Sequence, residues 1–254
     1  MILRILFFFA LLPSLYAGQV SVIIPCYWKH FQFLEALLEA YAGQTRVPDE
    51  VVVSLSEAYQ VPEGEIQRLE GNEYPFEFKL IKTDKILYAG ENRNVAAAHA
   101  RHEILLTQDA DDLPHPQRVE ILAHWMERPG INHIIHQWLP EEGGPKANGA
   151  VPQWVDFYEN PGAIRRRFVK TTKDFAAYEY LHNGHIALRK SLWNKFKWPR
   201  NKRGQDRIYN MTLIHAERNT LILFAPLVVY RHQFSSIKES SGTFVMSNSC
   251  HSRS

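Results

Sequence analysis

The chain has 254 residues, 45% hydrophobic and 22% charged, an ordinary globular composition with room for one large domain or two small ones. A formal net charge of +2 is too small to argue for a nucleic-acid partner. The two cysteines, Cys26 and Cys250, stand at opposite ends and argue against a disulfide framework; Cys26, in an apolar run, reads as a small buried hydrophobe.

In chain order, Arg4 is followed by an apolar run over 5–12, then Pro13, Ser14, Ala17 and Gly18. A basic start, an apolar stretch and a small-residue exit predict a secretory signal sequence over 1–18. The run is shorter than the ~20 residues of a membrane span. A retained hydrophobic anchor or a buried N-terminal element is the alternative. The expected location is therefore the secretory pathway or a membrane surface held through the N-terminus, with the cytoplasm as the alternative.

Residues 20–25 are a β-rich run closed by proline and predict a buried strand. Phe31, Leu34, Leu37, Leu38 and Tyr41 recur at helical spacing, and Gly43 fits a helix end. Strands are expected at 50–55, 76–81, 103–107 and 131–138, with helices at 62–69, 91–101 and 115–127 between them. Such alternation argues for an α/β fold with a mostly parallel sheet flanked by helices, in one domain over 19–236. Residues 139–170 lose the pattern and contain the turn signals Gly143-Gly144-Pro145 and Asn160-Pro161-Gly162. A strand at 184–188, helices at 190–196 and 206–216, and an apolar run at 221–230 follow. The Ser-rich segment 237–254 is expected to be a loose tail.

The sharpest chemical signal is Asp109-Ala110-Asp111-Asp112, immediately after a buried strand. In such sheets ligands bind at the carboxyl ends of the strands, which would gather Cys26, Ser54 and residues 109–112 on one edge. On an extended segment Asp109 and Asp111 face the same way. Two carboxylates aimed at one point call for a cation, and oxygen ligands suit Mn²⁺ or Mg²⁺. Asp112 equally suits a helix cap. His182 and His185 invite a zinc site, but no Cys or His pair at zinc spacing accompanies them, which argues against it. Trp138, Trp154 and Trp193 can stack on sugar rings or fill a core, and Arg165-Arg166-Arg167 reads as a solvated face.

Several motifs, in one order, resemble family 2 glycosyltransferases of the GT-A fold. The run 20–27 resembles the family's opening strand, and Gly90 with Asn92-Arg93-Asn94 its donor-loop segment. Residues 108–112 with Pro116 resemble its metal and diphosphate motif, and 184–192 its acceptor-side strand. Gly204-Gln205-Asp206 resembles its Glu-Asp catalytic motif, with Gln in place of Glu, and Tyr230-Arg231-His232 a late metal-binding segment. The second strand ends Ser54-Leu55-Ser56-Glu57, with only Glu57 acidic where the family reads the nucleoside base.

The resemblance implies inverting transfer of a sugar from a nucleotide-sugar donor, expected to be a UDP-sugar, to an acceptor hydroxyl. It implies Asp206 as catalytic base, donor contacts from Pro25, Tyr27, Glu57, Arg93, Asn94 and Asp109, and a Mn²⁺ or Mg²⁺ ion on Asp109, Asp111 and His232. A nucleotidyltransferase is the competing enzyme, but its Gly-rich loop is missing from residues 26–30. A non-catalytic carbohydrate-binding protein is the other competitor, and Gln205 favours it.

Overall fold

The computed structural model describes residues 18–231 apart from Pro145 and Asn148. The expected leader, His232, Cys250 and the tail lie outside the described residues. β1 (Val20–Tyr27) and β2 (Glu50–Ser56) are buried along nearly their whole length and run parallel, with Val22 beside Val51 and Ile23 beside Val52. Because a strand alternates its side chains, a continuous apolar run serves two cores at once. Val22, Ile24, Val51 and Val53 pack with Leu34, Leu37, Leu38 and Tyr41 of α1 (Leu34–Ala42). Ile23 and Val52 pack on the other side with Ala96 and Ala97 of α3 (Ala89–His99), where small side chains let the helix lie close to the sheet. The helix expected from Phe31 begins as a 3₁₀ segment, Trp28–Phe33, and becomes α-helical at Leu34.

α2 (Glu63–Glu70) and β3 (Glu77–Thr83) extend this half, and β4 (Ile104–Thr107) lies on the other side of β1. Then come β5 (Leu113–Pro114), α4 (Arg118–Met126), β6 (His133–Pro140), β7 (Arg166–Val169), α5 (Thr172–Ala176), β8 (Leu181–Arg189), α6 (Lys190–Lys195), α7 (Gln205–Glu217) and β9 (Thr220–Tyr230). The sheet order is β3-β2-β1-β4-β8-β6-β9-β5, with β7 also on β9. It is a mixed sheet: β1, β2, β3, β4, β6 and β9 share one direction, whereas β5, β7 and β8 run against it. β8 is inserted between β4 and β6, so its first residues lie where β4 and β6 end.

The irregular stretch expected over 139–170 contains β7. Its arginines are tolerated at an edge because their guanidiniums lie over rings: Arg165 over Phe224, Arg166 over Trp125 and Arg167 over Tyr178. Among the described residues, no helix is long and apolar enough to cross a membrane.

Candidate active site

β4 delivers the acidic segment. Its turn is closed by Gln108, whose Nε2 donates to the carbonyls of Asp109 (3.1 Å) and Asp112 (3.2 Å), while its Oε1 accepts from the Tyr41 hydroxyl (3.0 Å). Buried Arg118 braces the same point, donating to Thr107 O (2.7 Å) and to the Tyr41 oxygen (3.1 Å). The expected gathering on one edge is observed: Cys26 O accepts from Asn92 Nδ2 (3.0 Å) and Ser56 Oγ (3.3 Å), and Gln108 N donates to Ile23 O (3.1 Å).

The carboxylates do not all point to one place. Asp109 Oδ2 lies 3.6 Å from His185 Nε2, and Asp112 Oδ2 lies 2.8 Å from the same nitrogen and 3.8 Å from His182 Nε2. One ligand atom from each of Asp109, Asp112, His182 and His185 falls within 4.8 Å of the others. Asp111 turns away, its Oδ1 3.7 Å from His30 Nδ1. The alternation expected of an extended strand fails here because Gln108 curls residues 109–112 into a turn, with Asp112 N donating to Asp109 O (3.3 Å). His232, the third expected ligand, lies outside the described residues. The preceding Arg231 donates its backbone N–H to Asp112 Oδ1 (2.8 Å).

The histidine pair is what sequence reasoning misses. His182 and His185 are visible, but their acidic partners lie some seventy residues earlier and come together only through the reversed strand β8. Gly184 between them lets β8 lie close: a Cβ there would stand 2.8 Å from Asp109 Oδ2 and 2.9 Å from Arg93 Nη2, so those side chains would have to shift.

The ligand chemistry favours an ion that accepts imidazole. Mixed nitrogen and oxygen donors suit Mn²⁺ better than Mg²⁺, which prefers oxygen alone. His182 Nδ1 accepts from the backbone N–H of Gly184 (3.0 Å) and of His185 (3.2 Å), so its proton sits on Nε2. For His185 to present Nε2 to an ion its proton must move to Nδ1, which is buried with no partner among the described residues, so ion binding must offset one unsatisfied donor. Asp109, Asp112 and His185 therefore fit a divalent ion most directly.

The electrostatics divide the acids by role. Burial works to raise Asp109, but the Arg93 guanidinium and then the two histidines outweigh it and hold this carboxyl well below its usual range. Burial, reinforced by neighbouring carboxylates, pushes Asp111 and Asp112 well up. Burial lowers His185 to about 3 and His182 well below its ordinary value, so both imidazoles are neutral near pH 7.

Asp206 opens α7 behind Gly204, whose φ of 70° suits glycine. Burial raises Asp206 to about 6, against the pull of Arg93 and with the push of Asp109. Arg93, in α3, hydrogen-bonds Asp206 through Nη1 and Asp109 through Nη2. Gln205 is buried beneath α3, close to Gly90, and its Oε1 finds no partner among the described residues.

The other expected donor residues sort themselves. Pro25 and Tyr27 end β1 beside Ser54 and Ser56, and Glu57 follows β2 in a left-handed turn with φ 54°. Asn94 instead holds the chain together: its Oδ1 accepts from Trp193 Nε1 (3.0 Å) and Trp198 N (3.1 Å), and its Nδ2 donates to Trp198 O (2.9 Å). Trp138 stands with Tyr180, Tyr230 and His182 in an aromatic wall beside the histidines, whereas Trp154 packs on His115 and Trp193 lies in the core.

The model of glycosyl transferase family 2 matches residues 21–208. The chain belongs to this family. In this family 2 glycosyltransferase the matched span takes in Arg93, Asp109, Asp112, His182, His185 and Asp206, whereas Tyr230 and Arg231 lie beyond it. No curated protein matches it in sequence. Its fold is that of crystal structures of S. aureus TarS 1-349. With the complex with UDP-GlcNAc the TM-score is 0.65 at 17% identity, over 89% of this chain and 62% of that one. With the UDP complex the TM-score is 0.58 at 17% identity, over 84% and 60%. The glycosyltransferase chain thus spans about three fifths of the length of these structures.

Proposed function

We propose that this glycosyltransferase moves a sugar from a UDP-sugar to an acceptor hydroxyl with inversion at the anomeric carbon. The observation that carries the proposal is the meeting of Asp206 with the acidic turn at the carboxyl edge of the sheet. That edge also gathers the ends of β1 and β2, the region expected to take the nucleoside. The UDP and UDP-GlcNAc complexes of the structurally similar TarS support a uridine donor.

Asp206 accepts the proton of the acceptor hydroxyl. The hydroxyl oxygen forms a bond to the anomeric carbon from the face opposite the diphosphate. The bond from that carbon to the diphosphate oxygen breaks, and its electron pair stays with the diphosphate. Asp109, Asp112 and His185, with His182 adjoining, are the residues proposed to hold a divalent ion, Mn²⁺ in preference to Mg²⁺. Such an ion neutralises charge on the leaving diphosphate. Trp138, with Tyr180 and Tyr230, offers an apolar wall for a sugar ring. The segment 1–18 is proposed to direct the chain to the secretory pathway or a membrane; N-terminal sequencing of the expressed protein, finding Met1 retained on a free cytosolic product, would refute this.

The test of the activity is UDP-sugar binding by thermal shift with Mn²⁺, Mg²⁺ or chelator, paired with UDP release. A ligand of the native state raises Tm by mass action. The proposal expects a UDP-dependent rise, larger with Mn²⁺; no response to any uridine or other nucleotide sugar refutes it.

A further inference from the structure

Arg93 resembles a donor-binding arginine, yet its side chain is only 1% exposed. Both terminal nitrogens are engaged, Nη1 by Asp206 and Nη2 by Asp109. Its Nε is buried without a partner among the described residues. Gly184 closes over the guanidinium from β8, so close that even a methyl group there would stand 2.9 Å from Nη2. Its remaining N–H groups are buried with it, so a phosphate could reach them only by displacing the side chains that enclose the guanidinium.

We infer that Arg93 is a positioning residue, a clamp that fixes Asp206 of α7 against Asp109 of the acidic turn, and is not a ligand of the donor. This rests on the reading of Asp206 as the base. Asp109 belongs to β4's end and Asp206 to a helix almost a hundred residues later, and no strand pairing joins them directly. A planar guanidinium suits the task because its two edges grip two carboxylates in a set geometry. An ammonium is a single point of charge and fixes no such angle. Misplacing a reacting group by about 1 Å can cost on the order of a hundredfold in rate.

The experiment compares Arg93→Ala and Arg93→Lys with wild type, full length, for UDP affinity by calorimetry and for kcat of UDP release from UDP-GlcNAc. The clamp predicts that both variants hold UDP within about threefold of wild type while kcat falls by about a hundredfold. Added guanidinium ion should restore part of kcat to Arg93→Ala alone. If UDP affinity falls as far as kcat, Arg93 is a donor ligand; if either variant keeps its kcat, the clamp is unnecessary; both results overturn the inference. Should Arg93→Ala not fold, Arg93→Lys, which keeps the buried charge, decides. Should wild type release no UDP, the double-mutant cycle of Arg93→Lys with Asp206→Asn, read in Tm, decides instead. Non-additive Tm shifts sustain the clamp and additive ones overturn it.

Discussion

The two halves of the sheet are built on different terms. β1, β2, β3 and β4 form a parallel frame in which β1, β2 and β4 are buried on both faces, and the polar groups buried there are mostly uncharged side chains hydrogen-bonded to one another, such as Ser54 to Asn92. The half made by β6, β8 and β9, with α7, brings His182, His185, Asp206 and Arg231 against the acids at the end of β4. Apolar burial holds both halves, with Ile134, Ile186 and Ile222 fully buried in the second, but the second also sets charges that need each other against the end of β4. A lost methyl group should therefore damage the first in stability, and a lost charge or lost space should damage the second in turnover.

The sharpest test of the contrast is Asp206→Asn. Asp206 stands in the first turn of α7, behind the N-cap Gly204, and pairs with Arg93; Asn keeps its outline but can neither take a proton nor hold that charge, so turnover should fall roughly a hundredfold or more, further than any loss in Tm explains, with UDP affinity near wild type. A fall in Tm matching the loss of turnover would mean that Asp206 only braces α7 through its pair with Arg93. The complementary change in the frame is Leu38→Ala in α1, where the side chain is fully buried. It should lose about 2–5 kcal/mol in urea unfolding and leave UDP affinity of the folded fraction unchanged. Gly184→Ala lies at the seam between the halves. The added methyl should cost about 1–3 kcal/mol by overpacking, and it should lower kcat further than stability alone explains.

A smaller effect comes from Glu50, the charged exception in the frame. It accepts from Ser21 Oγ (2.5 Å), Arg101 N (2.8 Å) and Lys79 Nζ (2.6 Å). Burial works to raise it, but these donors, Lys79 foremost, leave it below its ordinary value. A carboxyl lowered on folding stabilises above its unfolded pKa of about 4.3, and that stability disappears as pH falls through the lower folded value. Tm measured from neutral pH downward should therefore fall more steeply in acid for wild type than for Glu50→Gln. Parallel curves would show that Glu50 contributes no charge-dependent stability. The smallest change is Gly64→Ala in α2, where nothing lies within 4 Å of the new methyl; it should add about 0.5–1 kcal/mol and alter no activity.

The same division explains what is legible in the sequence. Strands of the frame announce themselves because both faces are buried and the apolar run is unbroken, as in Val51-Val52-Val53. The acidic turn directly after β4 and the Gly204-Gln205-Asp206 segment at the start of α7 stand where the sequence places them. His182 and His185 are not recognisable as partners of the acids because β8 is reversed, so its beginning, not its end, reaches the ligand edge. The bracing role of Asn94 is hidden because its partners, Trp193 and Trp198, lie about a hundred residues away. β7 is hidden because its arginines read as solvated, and only the rings beneath them make a strand of that run.

The amide of Gln108 has a consequence for how the acidic turn meets its ligands. Its Nε2 group ties the Asp109 and Asp112 carbonyls together, so the chain itself holds the turn in shape and less ordering is left to a ligand. Glutamate at this position has nearly the same outline, but it would aim an oxygen at two carbonyl oxygens beside three aspartates. A single nitrogen atom thus separates a loop that is ready on arrival from one that must be assembled by its cargo.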